Sequence, residues 1–189
     1  MRYLVSSLDI EAARALASDL LADLPDRWMH TKAVAAQAQA VSATVAAADQ
    51  EVLVAAAWLH DVGYSAAAVD TGFHSVDGAR LVESRGWSPR IAALIAHHSG
   101  ARFIVGAAGY IEALNAYPDE ASAVTDALLY ADQTTGPRGE RWSASERIQE
   151  SVRRHGPGSV NAKVAAQRSA YMVEAVARVQ ARLLGLADA

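Results

Sequence analysis

Cysteine is absent from the 189 residues. That excludes a disulfide framework, a thiolate nucleophile and a zinc-ribbon site, and leaves histidine, aspartate and glutamate as the side chains able to hold a metal. Aromatic residues are scarce, at 6%, while hydrophobic residues reach 52% with alanine the commonest. Such a mixture suits helices in close approach rather than a sheet core, so the expected fold class is all-α. A basic excess is also lacking. The net charge of -4 and pI near 5.8 argue against general nucleic-acid binding. No apolar run reaches the roughly 18 residues of a membrane span, and Met1 to Leu8 lacks a charged region followed by an apolar stretch. A cytoplasmic protein with no membrane partner is expected, most simply one domain over residues 1–189 with a real core to bury. Nothing in the chain fixes its oligomeric state.

What is present is helical punctuation. Ser6-Ser7-Leu8-Asp9 has capping-box form ahead of a helix over Asp9 to Leu24. Pro25 and Asp26 suit the first turn of a second helix, whose alanine-rich body runs from about Arg27 to Ala47 and carries His30 in its early turns. Asp49 caps a third helix that runs through the apolar Val52 to Leu59 into His60-Asp61 and breaks at Gly63. Gly63 to Gly72 reads as a loop. Phe73 to Arg85 forms a fourth helix stopped by Gly86, with His74 in its first turn and Gly78 marking the approach of another backbone. Ser88-Pro89 opens a fifth helix that reaches His97-His98 and ends at Gly100. Arg102 to Tyr117 reads as broken helix, and Asp119 to Ala131 as a cleaner one presenting Asp132 at its end. Two C-terminal helices, within 143–184, complete the chain: a capping box at Ser143-Ala144-Ser145-Glu146 starts one that ends at Gly156, and Ser159 to about Leu184 forms the other.

The stretch Ala57-Trp58-Leu59-His60-Asp61-Val62-Gly63-Tyr64 organises the rest. An apolar helical run delivers an imidazole and a carboxylate to a buried helix end. These are ligands for borderline and hard divalent cations, and a carboxylate can bridge two of them. Of the six histidines, His30, His60, His74 and one or both of His97-His98 fall near ends of separate helices, where they can converge with Asp61 and Asp132. His155 follows Arg153-Arg154 and precedes Gly156, so a cation at a helix C-terminus accounts for it without a site.

The order His30, His60-Asp61, Asp132 in an all-helical chain resembles the His…His-Asp…Asp signature of HD-domain metal-dependent phosphohydrolases, over roughly residues 26–132. His74 in Phe73-His74-Ser75-Val76-Asp77-Gly78-Ala79, and His97-His98, are similar to the extra histidines of the dinuclear branch, which includes HD-GYP phosphodiesterases and bacterial diadenosine tetraphosphate hydrolases. That resemblance implies a helical bundle with one metal on His30, His60, Asp61 and Asp132, and a second on Asp61 as bridge with His74, His97 and His98. The ions would be divalent, iron or manganese first. The chain departs from HD-GYP proteins where Tyr64 replaces a lysine and where Ser99-Gly100-Ala101-Arg102 follows the paired histidines without a Gly-Tyr-Pro motif. Tyr130 to Arg138 loosely resembles the corresponding segment of the tetraphosphate enzymes.

The activity implied is hydrolysis of a nucleotide or other small phosphorylated substrate by a hydroxide held between two cations, with Asp61 central to catalysis. Arg102, Arg138 and Arg141 are the candidate phosphate clamps, since a planar guanidinium matches phosphate oxygens, and Tyr64 is a candidate proton donor or substrate contact. Two other classes stay open: a mixed-valent di-iron oxygenase built on the same ligand pattern, and a regulatory binding module without turnover. Metal-linked oxygen consumption would separate the first of these from a hydrolase.

Overall fold

Two helices buried along nearly their whole length form the axis of the molecule. In a computed structural model, which describes residues 9–187, these are α3 (Gln50–Leu59) and α8 (Ala123–Gln133). Val52 to Ala57 and Leu59 of α3 are buried, as is every residue of α8 from Val124 onward. The apolar run of α3 belongs in a core, whereas α8 takes Asp126 inside on ion pairs with Arg178 and Arg182 and Asp132 inside on a contact with His30. Around the pair lie α1 (Ile10–Leu20), α2 (Pro25–Ala40), α4 (His74–Ser84) and α5 (Pro89–His97) on one side. The short α6 (Ala101–Ala107) and α7 (Ile111–Asn115) follow α5, and α9 (Ala144–His155), α10 (Val160–Lys163) and α11 (Ala165–Ala187) close the other side, with α11 laid along α8. Among the described residues there is no strand, only an isolated bridge between Thr135 and Arg141.

Local chemistry sets the element ends, and several differ from the sequence expectation. The capping box expected at Ser6 to Asp9 lies, apart from Asp9, outside the described residues; Asp9 itself caps α1 by accepting from Ala12 N at 3.1 Å. Helix α1 stops at Leu20 rather than Leu24, since the residue before Pro25 is forced out of helical geometry (φ −124°, ψ 69°). Helix α2 stops at Ala40 rather than Ala47, where Thr44 turns its hydroxyl back onto Val41 O at 2.7 Å and the chain passes through 3-10 turns. Asp49 precedes α3 but does not cap it with its side chain; the carboxylate instead accepts from Arg90 at 2.6 Å. Helix α8 starts at Ala123 under a Ser122–Thr125 capping box, not at Asp119, and the long C-terminal helix breaks at Val164. The capping box at Ser143 and Glu146, the Ser88 cap and the broken segment 102–117 follow the expectation.

Two further contacts position the site. The turn after α3 lies directly against the first turns of α4, with Gly63 meeting Gly78. Buried Asp77 gathers the preceding loop, accepting from Thr71 N (2.8 Å), Thr71 Oγ1 (2.7 Å) and Gly72 N (2.9 Å). The Trp28 and Trp58 rings, from α2 and α3, sit 5.7 Å apart.

Candidate metal centre

Three helices end at one point. His60 and Asp61 follow the last residue of α3, Asp132 sits in the last turn of α8, and His98 follows α5. Helix C-termini carry partial negative charge, so their convergence favours a cation there before any side chain is counted. His30, from the second turn of α2, and His74, the first residue of α4, complete the ring. His30 and His60 are wholly buried, and Asp61, His98 and Asp132 nearly so.

Each of the three deepest imidazoles is anchored from behind. Nδ1 of His60 donates to Ala57 O at 2.7 Å, Nδ1 of His98 to Ile95 O at 2.6 Å, and Nδ1 of His30 to Gly136 O at 2.9 Å. A carbonyl only accepts, so these contacts put the proton on Nδ1 and turn the Nε2 lone pair inward, the orientation that backbone carbonyls impose on metal-ligating histidines. His60 Nε2 is fully buried and, although 3.2 Å from Asp61 Oδ2, makes no hydrogen bond among the described residues. Such an orphan is costly unless a cation meets it.

Asp61 straddles two groups. Its Oδ2 lies 3.2 Å from His60 Nε2 and 3.7 Å from His30 Nε2, while Oδ1 lies 3.7 Å from both His98 Nε2 and His74 Nε2. His30 Nε2 reaches Asp132 Oδ1 at 3.1 Å, and His74 Nε2 meets His98 Nε2 at 3.3 Å. Ligand atoms of His30, His60 and Asp132 fall within 4.8 Å of one another, as do those of His60, Asp61 and His98. This is two adjoining clusters of inward-facing acceptors. The donor set of imidazole and carboxylate fits divalent first-row cations. Burial opposes charge on Asp61 and Asp132, yet Arg27 and His60 hold the first, and His30 and His60 the second, well below the usual carboxylate range. Burial likewise opposes a proton on His60, but Asp61 beside it raises that histidine.

His97 is a correction to the expected ligand set. Helix α5 ends on it while His98 turns to extended geometry, so the neighbouring rings diverge and His97 Nε2 bonds Tyr117 O at 2.8 Å instead. The expected arginines are also elsewhere. Arg102 faces Asp119 and lies over the rings of Phe103 and Tyr171, Arg138 pairs with Asp26, and Arg141 bonds Gln37. None lines the cleft of about 250 Å³ that opens from the clusters. Tyr64 does line it, stacked on His74 at 4.2 Å.

The arginines in that cleft are ones the sequence pattern does not single out, Arg27, Arg147, Arg154 and Arg168, and His155, expected to serve only as a cation at a helix C-terminus, lines it as well. Arg27 donates to Asp61 Oδ2 at 2.7 Å and lies 4.1 Å over the Tyr64 ring. Arg147, Ser151 and Arg154 recur at i, i+4, i+7 between the Ser143 cap and the Gly156 stop, so one stripe of α9 faces the cleft. That spacing was visible in the sequence, but its facing was not. Burial above all, with the charges of Arg147 and Arg154, pushes Arg168 down to about 10 despite Asp132. Ser99, at φ 56°, donates its hydroxyl to Asp132 and accepts from Arg168 Nε on its carbonyl at 2.9 Å. A strained residue between ligand and cleft wall is the kind of feature functional sites retain.

The chain matches the HD domain family over residues 27–189. No curated protein and no solved structure matches it.

Proposed function

Since this chain belongs to the HD-domain family, we propose that it is a metal-dependent phosphohydrolase of small phosphorylated compounds, with a two-cation centre in which Asp61 is the shared ligand. The observation that carries this reading is the orphaned Nε2 of His60, buried among Asp61, Asp132, His30 and His98 with the neighbouring rings locked by their Nδ1 contacts. His30, His60 and Asp132 would hold one divalent cation and His74 and His98 the other, iron or manganese being suited to such donors. When bound, the cations would activate a water near neutral pH and neutralise charge on the phosphoryl oxygens.

The protein's own groups account for the rest. Ser99 and Gln133 orient Asp132, Gln133 Nε2 reaching its Oδ2 at 2.7 Å. Arg27 stands beside Asp61 where its free donors can meet phosphoryl oxygens in the fork geometry a guanidinium favours. Phe73, Ala101, Ile104 and Val105 give the cleft an apolar wall that limits water. Tyr64, packed between Arg27 and His74, presents its hydroxyl as a contact for the leaving group.

The test is elemental analysis of protein purified without chelator, then phosphate release from nucleotides and phosphoesters with added iron or manganese. Bound metal, and turnover abolished in Asp61→Ala and His60→Ala, is the expected result. Absence of bound metal under saturation overturns the reading, and oxygen uptake without phosphate release transfers the centre to oxygenase chemistry.

A further inference from the structure

The wall that α9 and α11 give the cleft has charge for which the phosphoryl group at the cations gives no use. Four guanidiniums line the cleft, against the carboxylates of Asp61 and Asp132, in a protein whose net charge is -4. Arg27 belongs with Asp61. Of the other three, Arg147 and Arg154 share Glu150, at 3.0 Å and 3.3 Å, and beyond that only Asp132 at the foot of the wall, 3.9 Å from Arg147, stands near among the described residues. Arg147 is the telling one: only 9% of its side chain is exposed, yet its buried Nε has no partner among the described residues. A buried cationic donor left unmatched at the wall of a cleft is costly unless a ligand completes it.

The arrangement has direction as well as charge. Arg147 starts beside the ligands, 3.9 Å from Asp132 Oδ1, and the stripe through Ser151 to Arg154 rises along α9 by about 10 Å. Arg168 enters from α11, held by Ser99 O and in loose contact with Asn161 Oδ1 at 3.5 Å. A single phosphate at the ligand clusters does not span that rise. Planar forks from several directions suit the tetrahedral oxygens of phosphate better than the two oxygens of a carboxylate.

We propose that Arg147, Arg154 and Arg168 form a second oxyanion subsite that takes a further phosphate of the substrate, so that the preferred substrates are compact compounds carrying two or more phosphate groups. The substrate assignment rests on the phosphohydrolase reading; the subsite itself does not.

Binding to chelator-treated protein separates the two. Tripolyphosphate and orthophosphate are titrated calorimetrically into the parent, Arg154→Gln and Arg14→Ala, the last a surface change paired with Glu11 away from the cleft. Arg154 is 41% exposed, so its truncation is tolerated by the fold, and thermal melts of each variant check this. The expected result is tripolyphosphate binding tighter than orthophosphate in the parent, weakened at least tenfold in Arg154→Gln and unchanged in Arg14→Ala. Equal affinity in the two variants, no tripolyphosphate binding by the folded parent, or no preference over orthophosphate overturns the proposal. Arg154-dependent binding in a protein that takes up no metal would support the subsite while removing the hydrolase reading.

Discussion

Gly63 and Gly78 touch backbone to backbone: a Cβ on Gly63 would run into the His74 carbonyl and lie 2.7 Å from Gly78 N, and one on Gly78 would lie 3.1 Å from Gly63 N. This contact seats α4 against the turn carrying Asp61, and so sets how far His74 stands from it.

Gly63→Ala therefore lowers stability by about 3 kcal/mol, at the upper end for overpacking, because the atoms in the way are backbone. Its metal content falls with it, through displacement of His74. Urea midpoints and elemental analysis measure both; a variant as stable as the parent would contradict the contact.

The adjacent histidines 97 and 98 separate cleanly. His98→Ala loses metal, whereas His97→Ala keeps it and loses only about 1 kcal/mol for one hydrogen bond to Tyr117 O. Equal metal loss in the two would restore His97 as a ligand.

Stoichiometry tests the shared carboxylate. Asp61→Ala removes the group facing both clusters and empties the site, while His74→Ala goes from two ions toward one, leaving His30, His60 and Asp132 intact. Metal per chain, measured under saturation, decides; one ion in the parent would end the dinuclear assignment.

Acid and alkali both destabilise the metal-free protein, through different groups. Burial, reinforced by His98, pushes His74 down to about 3, muted by the 30% of its side chain left exposed, so the unfolded chain takes up the proton first and stability falls as pH drops below about 6.5. Asp61 and Asp132, depressed by Arg27, His30 and His60, add stability above their ordinary value that is lost as pH falls through their lower folded values. His60 is raised despite burial, so its contribution is present below about 6.5 and is lost as pH climbs through its folded value. The urea midpoint of chelator-treated protein should peak near neutrality. Added metal displaces the His60 proton, so affinity rises with pH and protons are released in weakly buffered solution. No proton release would count against His60 as a ligand.

The convergence of these side chains was legible because helix punctuation fixes helix ends, and His30, His60-Asp61, His74 and Asp132 lie beside such punctuation. The choice between His97 and His98 was not, since it depends on which residue leaves helical geometry first. Cleft arginines were hidden for a different reason. Arg147, Arg154 and Arg168 matter through the packing of α9 and α11 on α8, and nothing local to those residues distinguishes them from Arg138 or Arg141 on the surface.

The close Trp28–Trp58 pair gives the chain a built-in optical probe. Each indole stands two residues before a proposed ligand, Trp28 before His30 and Trp58 before His60, on the two helices whose separation the centre would fix. Open-shell ions quench nearby indole emission and closed-shell ions do not, so iron or manganese on one side and zinc on the other would write different fluorescence signatures at the same occupancy, and the electronic class of the bound metal becomes readable without a substrate.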